Sequence, residues 1–292
     1  MISNSSTANP LLYNYNHVFI NYCDGGSYAG AVSDPVTVGS QQIFYRGRYI
    51  LDGVYAELFK LGLSTASTVI VSGCSAGGLA VYMHLDYISA KIHAVSPSTR
   101  VVGAPGAGFF LTEHLAYGGG GPDYLPANKW CFNRFNVSAA VGGFSSTNDA
   151  CLLARAVTND TYKCFVAPEL LPYISTPLFV SNSLSDAWQA GAVMALDCTP
   201  SKAGACSAAQ VAYLSDFRQD MLDLLEPIMA PASPHGGFLQ GCFVHVVEDV
   251  GGWTSVKVGG QTQAETFSAW LTGSGGKPLV IDSFPPWSNP SC

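Results

Sequence analysis

Apolar and polar positions alternate along the chain between two regimes. Residues 17–23 (HVFINYC) and 67–72 (STVIVS) are short, continuous, β-branched runs, which predict buried strands. Between them, Ile50, Leu51, Val54, Leu58 and Leu61 recur at three- and four-residue spacing, and Gly62 closes the run, so 45–62 reads as a helix. A second helical face follows at Leu79, Ala80, Met83, Tyr87 and Ile88. Further strands are expected at 100–103, 177–182 and 242–247. Helices are expected over 208–226, with Val211, Leu214, Met221, Leu222 and Leu225 inward, and over Thr262–Leu271. Buried strands alternating with helices imply an α/β fold, a mostly parallel sheet with helices on both faces. Residues 112–165, with the glycines 118–121 and several cysteines, read as an irregular insertion. No repeat or linker divides the 292 residues, so one domain spanning 1–292 is expected.

Composition narrows the partners. Hydrophobic residues make up 48% of the chain and charged residues 11%, enough apolar material for a large core and too little charge for a disordered segment. A net charge of -7 with only 13 Lys and Arg argues against nucleic acid, which needs a basic face. No apolar run is long enough to span a bilayer. The nine cysteines form no C-x-x-C and no zinc-like spacing, so neither metal nor other cofactor is expected. Together with sequons at Asn4, Asn136 and Asn159, they point to an oxidising, extracellular compartment. The odd count leaves at least one thiol without a partner in this chain. Met1–Thr7 has no basic start or apolar core, so no signal peptide is visible, and the expectation is that the N-terminus is missing.

The chemistry centres on Val71–Ala80, VSGCSAGGLA, which contains G-x-S-x-G around Ser75. In a glycine-rich chain the motif means little alone. Here a strand precedes it and a helix follows, the context of a nucleophile elbow. A serine hydroxyl needs a base, and the base an orienting acid, in the chain order Ser, Asp or Glu, His. His17 precedes Ser75. His84 and His93 lie on the helix after the elbow and point away from it, and His114 precedes most acid candidates. His235 and His245 remain. His235 lies in Pro-His-Gly-Gly, which resembles an oxyanion motif in the wrong place. His245 is either the base or a core histidine bonded to backbone. Asp186 follows the 177–182 strand and suits the acid, and it would equally suit a helix N-cap. Asp197, Asp216, Asp220 and Asp223 fall on or near helices and read as solvated. Asp86 and Asp123 come earlier, in less suitable contexts.

Six collinear blocks then resemble one family. YCDGGSYAG at Tyr22–Gly30, SGCSAGGLA at Ser72–Ala80, AGFFL at Ala107–Leu111, PLFVSNSLSDAWQ at Pro177–Gln189, GCFVH at Gly241–His245 and NPSC at Asn289–Cys292 are similar to the pectin acetylesterases. These are carbohydrate esterases related to the Notum-type carboxylesterases. The resemblance implies an α/β-hydrolase-like fold, with Ser75 as nucleophile, Asp186 as acid and His245 as base. The Ala76 N–H is then expected to be an oxyanion donor. It implies a secreted serine esterase that removes acetyl groups from an acetylated polysaccharide such as pectin. The family's Gly-Gly-Gly-Trp-Cys-like segment, which supplies further oxyanion donors, has no counterpart here, so the chain is expected to lack N-terminal strands of the fold. The aspartate of the family's DAGFF block is Gly106, and Val246 stands where the plant members have a cysteine. Two alternatives stand beside the acetylesterase: an esterase for longer acyl chains, as in the Notum-like relatives, and a non-catalytic fragment without its oxyanion loop.

Overall fold

A computed structural model describes residues 3–112, 117–119, 124–198, 206–273 and 276–292. His114, Asp123, Gly120 and Gly121 lie outside them. Packing divides the chain into two compact units, one made of 20–110 and 124–177, the other of 1–19, 111–123 and 178–292.

In the first unit, a small antiparallel hairpin, β1 (Val36–Val38) and β2 (Gln41–Ile43), leads into helix α1 (Gly47–Lys60). Strand β3 (Thr68–Cys74) runs parallel to β4 (Arg100–Gly106), paired from Thr68 opposite Arg100 to Cys74 opposite Gly106. Helix α2 (Ala76–His93) connects them and packs on both strands. It is apolar almost all round, burying Leu79, Val81, Tyr82, Met83, Leu85, Ile88 and Ile92, as a helix enclosed on most sides must be.

The stretch expected to be irregular holds helices α3 (Tyr124–Arg134) and α4 (Asp149–Ala156), followed by α5 (Ala167–Leu170). A disulfide, Cys151–Cys164, staples α4 to the turn that follows it. Asn148 caps α4 through the Cys151 N–H, at 3.0 Å, and its amide donates to Asp86 at 3.1 Å. Asp86 also accepts the Ser175 and Thr176 N–H groups, so this α2 carboxylate ties the inserted segment to the helix.

Two expectations fail here. Residues 17–23 form no strand; they are irregular, with Val18 58% and Phe19 79% exposed. The run has strand composition, but no ladder partner exists for it among the described residues. Strand β3 forms where expected, yet it is only half-buried, because among the described residues β4 is its one ladder partner; β4 is the buried strand.

The second unit holds β5 (Phe179–Ser183), α6 (Ala208–Leu224), α7 (Glu226–Met229), β6 (Gly236–Gln240), α8 (Gly252–Ser255), the hairpin β7 (Lys257–Val258) and β8 (Gln261–Thr262), α9 (Gln263–Thr272) and β9 (Leu279–Ile281). Strand β6 lies between β5 and β9, parallel to both. Capping boxes start α6 (Ser207 with Gln210) and α9 (Thr262 with Glu265). The core is aromatic: Phe179 meets Phe267 edge-on at 5.0 Å, with Trp270 and Trp253 against the same ring.

The late strand expected at 242–247 is displaced. It lies at 236–240, and 242–246 is irregular chain after its C-terminal end, with Val247 opening a short 3-10 turn. Gly236 and Gly237 look like turn residues, but a Cβ on Gly236 would sit 2.5 Å from the Pro278 carbonyl and from the Trp270 ring. Those glycines let α9 and β9 close onto the strand. Parallel strands connected by packed helices make the fold α/β, as the periodicity implied.

Candidate active site

Strand β3 ends at Cys74, and the chain turns at Ser75 into the first residue of α2. Ser75 has φ 55° and ψ -122°, a backbone region that non-glycine residues rarely occupy. Its N–H donates to the Gly106 carbonyl at 2.9 Å, which fixes the turn to the end of β4. The glycines around it make the turn possible. A Cβ on Gly73 would lie 2.5 Å from the Gly77 carbonyl oxygen, and one on Gly78 would lie 2.6 Å from the Gly106 carbonyl oxygen. The positive φ of Ser75 is stored strain of about 1–3 kcal/mol, held by these contacts. The effect is to place a hydroxyl at the apex of a sharp strand-to-helix turn. Ala76 is the first helical residue, so its N–H has no partner within the helix.

The second unit brings Asp186 and His245 together. His245 Nδ1 lies 2.9 Å from Asp186 Oδ2 and 3.1 Å from Oδ1. A carboxylate only accepts, so Nδ1 carries the proton and Nε2 is the basic nitrogen of the neutral ring. The Asp186 side chain is fully buried, whereas the imidazole keeps 21% of its surface exposed. Asp186 Oδ1 also accepts the Gln189 N–H at 2.9 Å, so both roles weighed for this residue, partner of histidine and cap of the next turn, coexist. That turn is a π-helical one, Gln189–Val193, a form found disproportionately at functional sites.

Backbone bonds register the two segments. Leu184 N–H donates to the Gln240 carbonyl at 2.7 Å and Ser183 Oγ to the Cys242 carbonyl at 2.6 Å. The Cys242–Cys292 disulfide anchors the chain three residues before the imidazole. Trp188, 38% exposed, lies against the His245 ring with centroids 5.8 Å apart.

The other candidates fall into structural roles. His235 Nδ1 accepts the Leu178 N–H at 3.0 Å, just before β5. His93 Nε2 donates to the Thr99 carbonyl at 2.9 Å. His17 lies in exposed, irregular chain, and Asp197, Asp216, Asp220 and Asp223 are exposed as expected. His84 is buried, with Nε2 2.9 Å from the Ser27 carbonyl, and burial lowers its pKa to about 4. Ser27 in turn donates its hydroxyl to the Ala76 carbonyl at 2.9 Å. Nothing in the sequence marks this contact, because it joins residues 49 positions apart. Among the described residues, no group of His, Cys, Asp and Glu could hold a metal ion.

Comparison with known proteins matches the whole chain, residues 1–292, to a family model described as Pectinacetylesterase. The chain is similar to pectin acetylesterase 5 of Arabidopsis thaliana, 29% identical over the full chain and 67% of that protein. It is also similar to palmitoleoyl-protein carboxylesterase notum1 of Xenopus laevis, 24% identical over the full chain and 59% of that protein. Among solved structures, the Wnt deacylase Notum from Drosophila matches all of this chain and 78% of its own, with a TM-score of 0.81 at 24% identity, and so shares its fold.

Proposed function

The chain belongs to the pectinacetylesterase family, and from that premise we propose that it removes acetyl groups from an acidic cell-wall polysaccharide such as pectin, outside the cell, through an acyl-enzyme on Ser75. Carboxylic-ester hydrolysis is the chemistry its relatives' names share. The observation that supports the assignment of roles best is the bond from the His245 imidazole to the buried Asp186 carboxylate, across 59 residues of chain.

Nε2 of His245 takes the Ser75 proton as the oxygen attacks the ester carbonyl. The buried carboxylate holds the ring in the required tautomer and stabilises the imidazolium that forms. The tetrahedral oxyanion is received by the Ala76 N–H, whose position at a helix N-terminus favours negative charge. The imidazolium then protonates the leaving sugar oxygen. Water, activated by the same nitrogen, releases acetate and restores the serine. Export is supported by three disulfides and by the exposure of Asn4, Asn136 and Asn159 at the sequons.

A fluorophosphonate probe tests the assignment directly. The wild-type protein is expected to label and to release acetate from acetylated pectin, and Ser75→Ala to do neither. Labelling that persists in Ser75→Ala removes this serine from its role. Preference for p-nitrophenyl decanoate over p-nitrophenyl acetate would move the substrate to longer acyl chains.

A further inference from the structure

We propose that Ser27 is a positioning residue for the nucleophile turn, held by His84 as a two-point clasp on helix α2; the inference rests on Ser75 being the nucleophile. Ser27 is 4% exposed and commits each of its polar groups. Its hydroxyl donates to the Ala76 carbonyl at 2.9 Å, one residue beyond Ser75. Its own carbonyl receives the Nε2–H of His84 at 2.9 Å, a residue on the same helix just over two turns further on. Its N–H donates to the Tyr22 hydroxyl at 3.0 Å. One loop residue therefore grips α2 at its first turn and again in its middle.

The clasp is held under strain. Ser27 and Tyr28 both have positive φ, 53° and 57°, with no glycine at either position. Asp24 holds that conformation by accepting the Tyr28 N–H on Oδ2 at 2.9 Å. The same carboxylate packs so closely against Gly47 of α1 that no Cβ fits there. A residue needed only to turn the chain at φ 53° would serve better as glycine, which carries no steric penalty there. What serine adds is the hydroxyl, and the hydroxyl points at the peptide next to the nucleophile.

A helix carbonyl in the first turn already receives a bond from within the helix, so the Ser27 bond does not rescue an orphan. It fixes the lateral position of the first turn, and with it the Ser75 side chain and the Ala76 N–H together. Small displacements of a nucleophile are costly, about 100-fold in rate for roughly 1 Å. The clasp touches neither substrate nor reacting atoms, so it should appear in kcat and leave KM alone.

Ser27→Gly separates the two roles, because it relieves the backbone strain while removing the hydroxyl along with the small Cβ that carries it. The expected result is a thermal midpoint at or above that of the wild type, kcat for p-nitrophenyl acetate lowered about 10-fold or more, KM within twofold, and fluorophosphonate labelling slowed in proportion. Ser27→Ala, which keeps the strain, should lose kcat similarly with a lower midpoint. Wild-type kcat and labelling rate in a folded Ser27→Gly protein would overturn the proposal. Failure of both variants to fold would also overturn it, by making the loop a folding element. Labelling of Ser75→Ala tests the nucleophile separately. If that label vanishes while Ser27→Gly labels at the normal rate, the clasp alone is wrong.

Discussion

His84 shows how one buried side chain carries a pH dependence into the whole protein. Burial lowers its pKa to about 4 from 6.5, the Ser27 carbonyl favours the charged ring, and nearby Arg48 disfavours it. Its Nδ1 is buried with no hydrogen-bond partner among the described residues, so the protonated ring would place a donor where none of them accepts. Between pH 6.5 and 4 the unfolded chain therefore binds a proton that the folded chain refuses. Stability is full above pH 6.5, falls as pH drops through this window, and levels below pH 4, where both states are protonated. The whole effect is at most about 3 kcal/mol. His84→Gln keeps a donor for Ser27 and removes the titration. Urea unfolding at pH 7 and pH 4.5 should show the variant losing about 2 kcal/mol less than the wild type across that interval; equal losses would mean that other groups carry the acid sensitivity. At this scale the sequence revealed what chain order and motif can reveal. Asp186 and His245 could be picked out by chain order, but that this imidazole bonds a buried carboxylate is visible only in the coordinates. Ser27 could not be found, because a positive φ at serine has no signature comparable to a glycine.

Helix α2 is where local preference and packing disagree. Gly78 lies in its first turn, and alanine is worth about 1 kcal/mol more than glycine inside a helix. Propensity alone favours Gly78→Ala. The added Cβ would meet the Gly106 carbonyl oxygen at 2.6 Å and the Gly108 Cα at 3.0 Å, both backbone atoms that cannot rotate away. The helix must lift from β4, and overpacking of that kind costs about 1–3 kcal/mol. Gly78→Ala should therefore lower stability by about 1–2 kcal/mol in chemical denaturation and slow labelling of Ser75, the reverse of the propensity order. The same conflict explains which elements were legible. The helices at 47–60, 76–93 and 208–224 follow their apolar spacing. The strand at 236–240 was hidden behind two glycines that serve close packing, while the apolar CFVHVV beside it is a covering loop with Val246 and Val247 buried. At 17–23 the composition of a strand is present without a partner to pair with among the described residues, and pairing is what makes a strand.

Charge acts on the scale of the whole molecule, and here it opposes the proposed substrate. Lys and Arg number 13 against 20 Asp and Glu, a net -7, while a de-methylated pectin is itself a polyanion. Long-range repulsion between them reaches about 30 Å at 10 mM salt and about 8 Å at 150 mM. Encounter with the polymer should then be weakest at low ionic strength. KM for acetylated, de-methylated pectin is expected to fall at least about twofold as NaCl rises from 10 to 150 mM, with KM for neutral p-nitrophenyl acetate flat over the same range. A fully methyl-esterified pectin, which lacks most of that charge, should behave like the small ester. The opposite trend, KM rising with salt on the acidic polymer alone, would mean that a local basic stripe guides the chain in despite the net charge, and the residues of that stripe would then define the polysaccharide path.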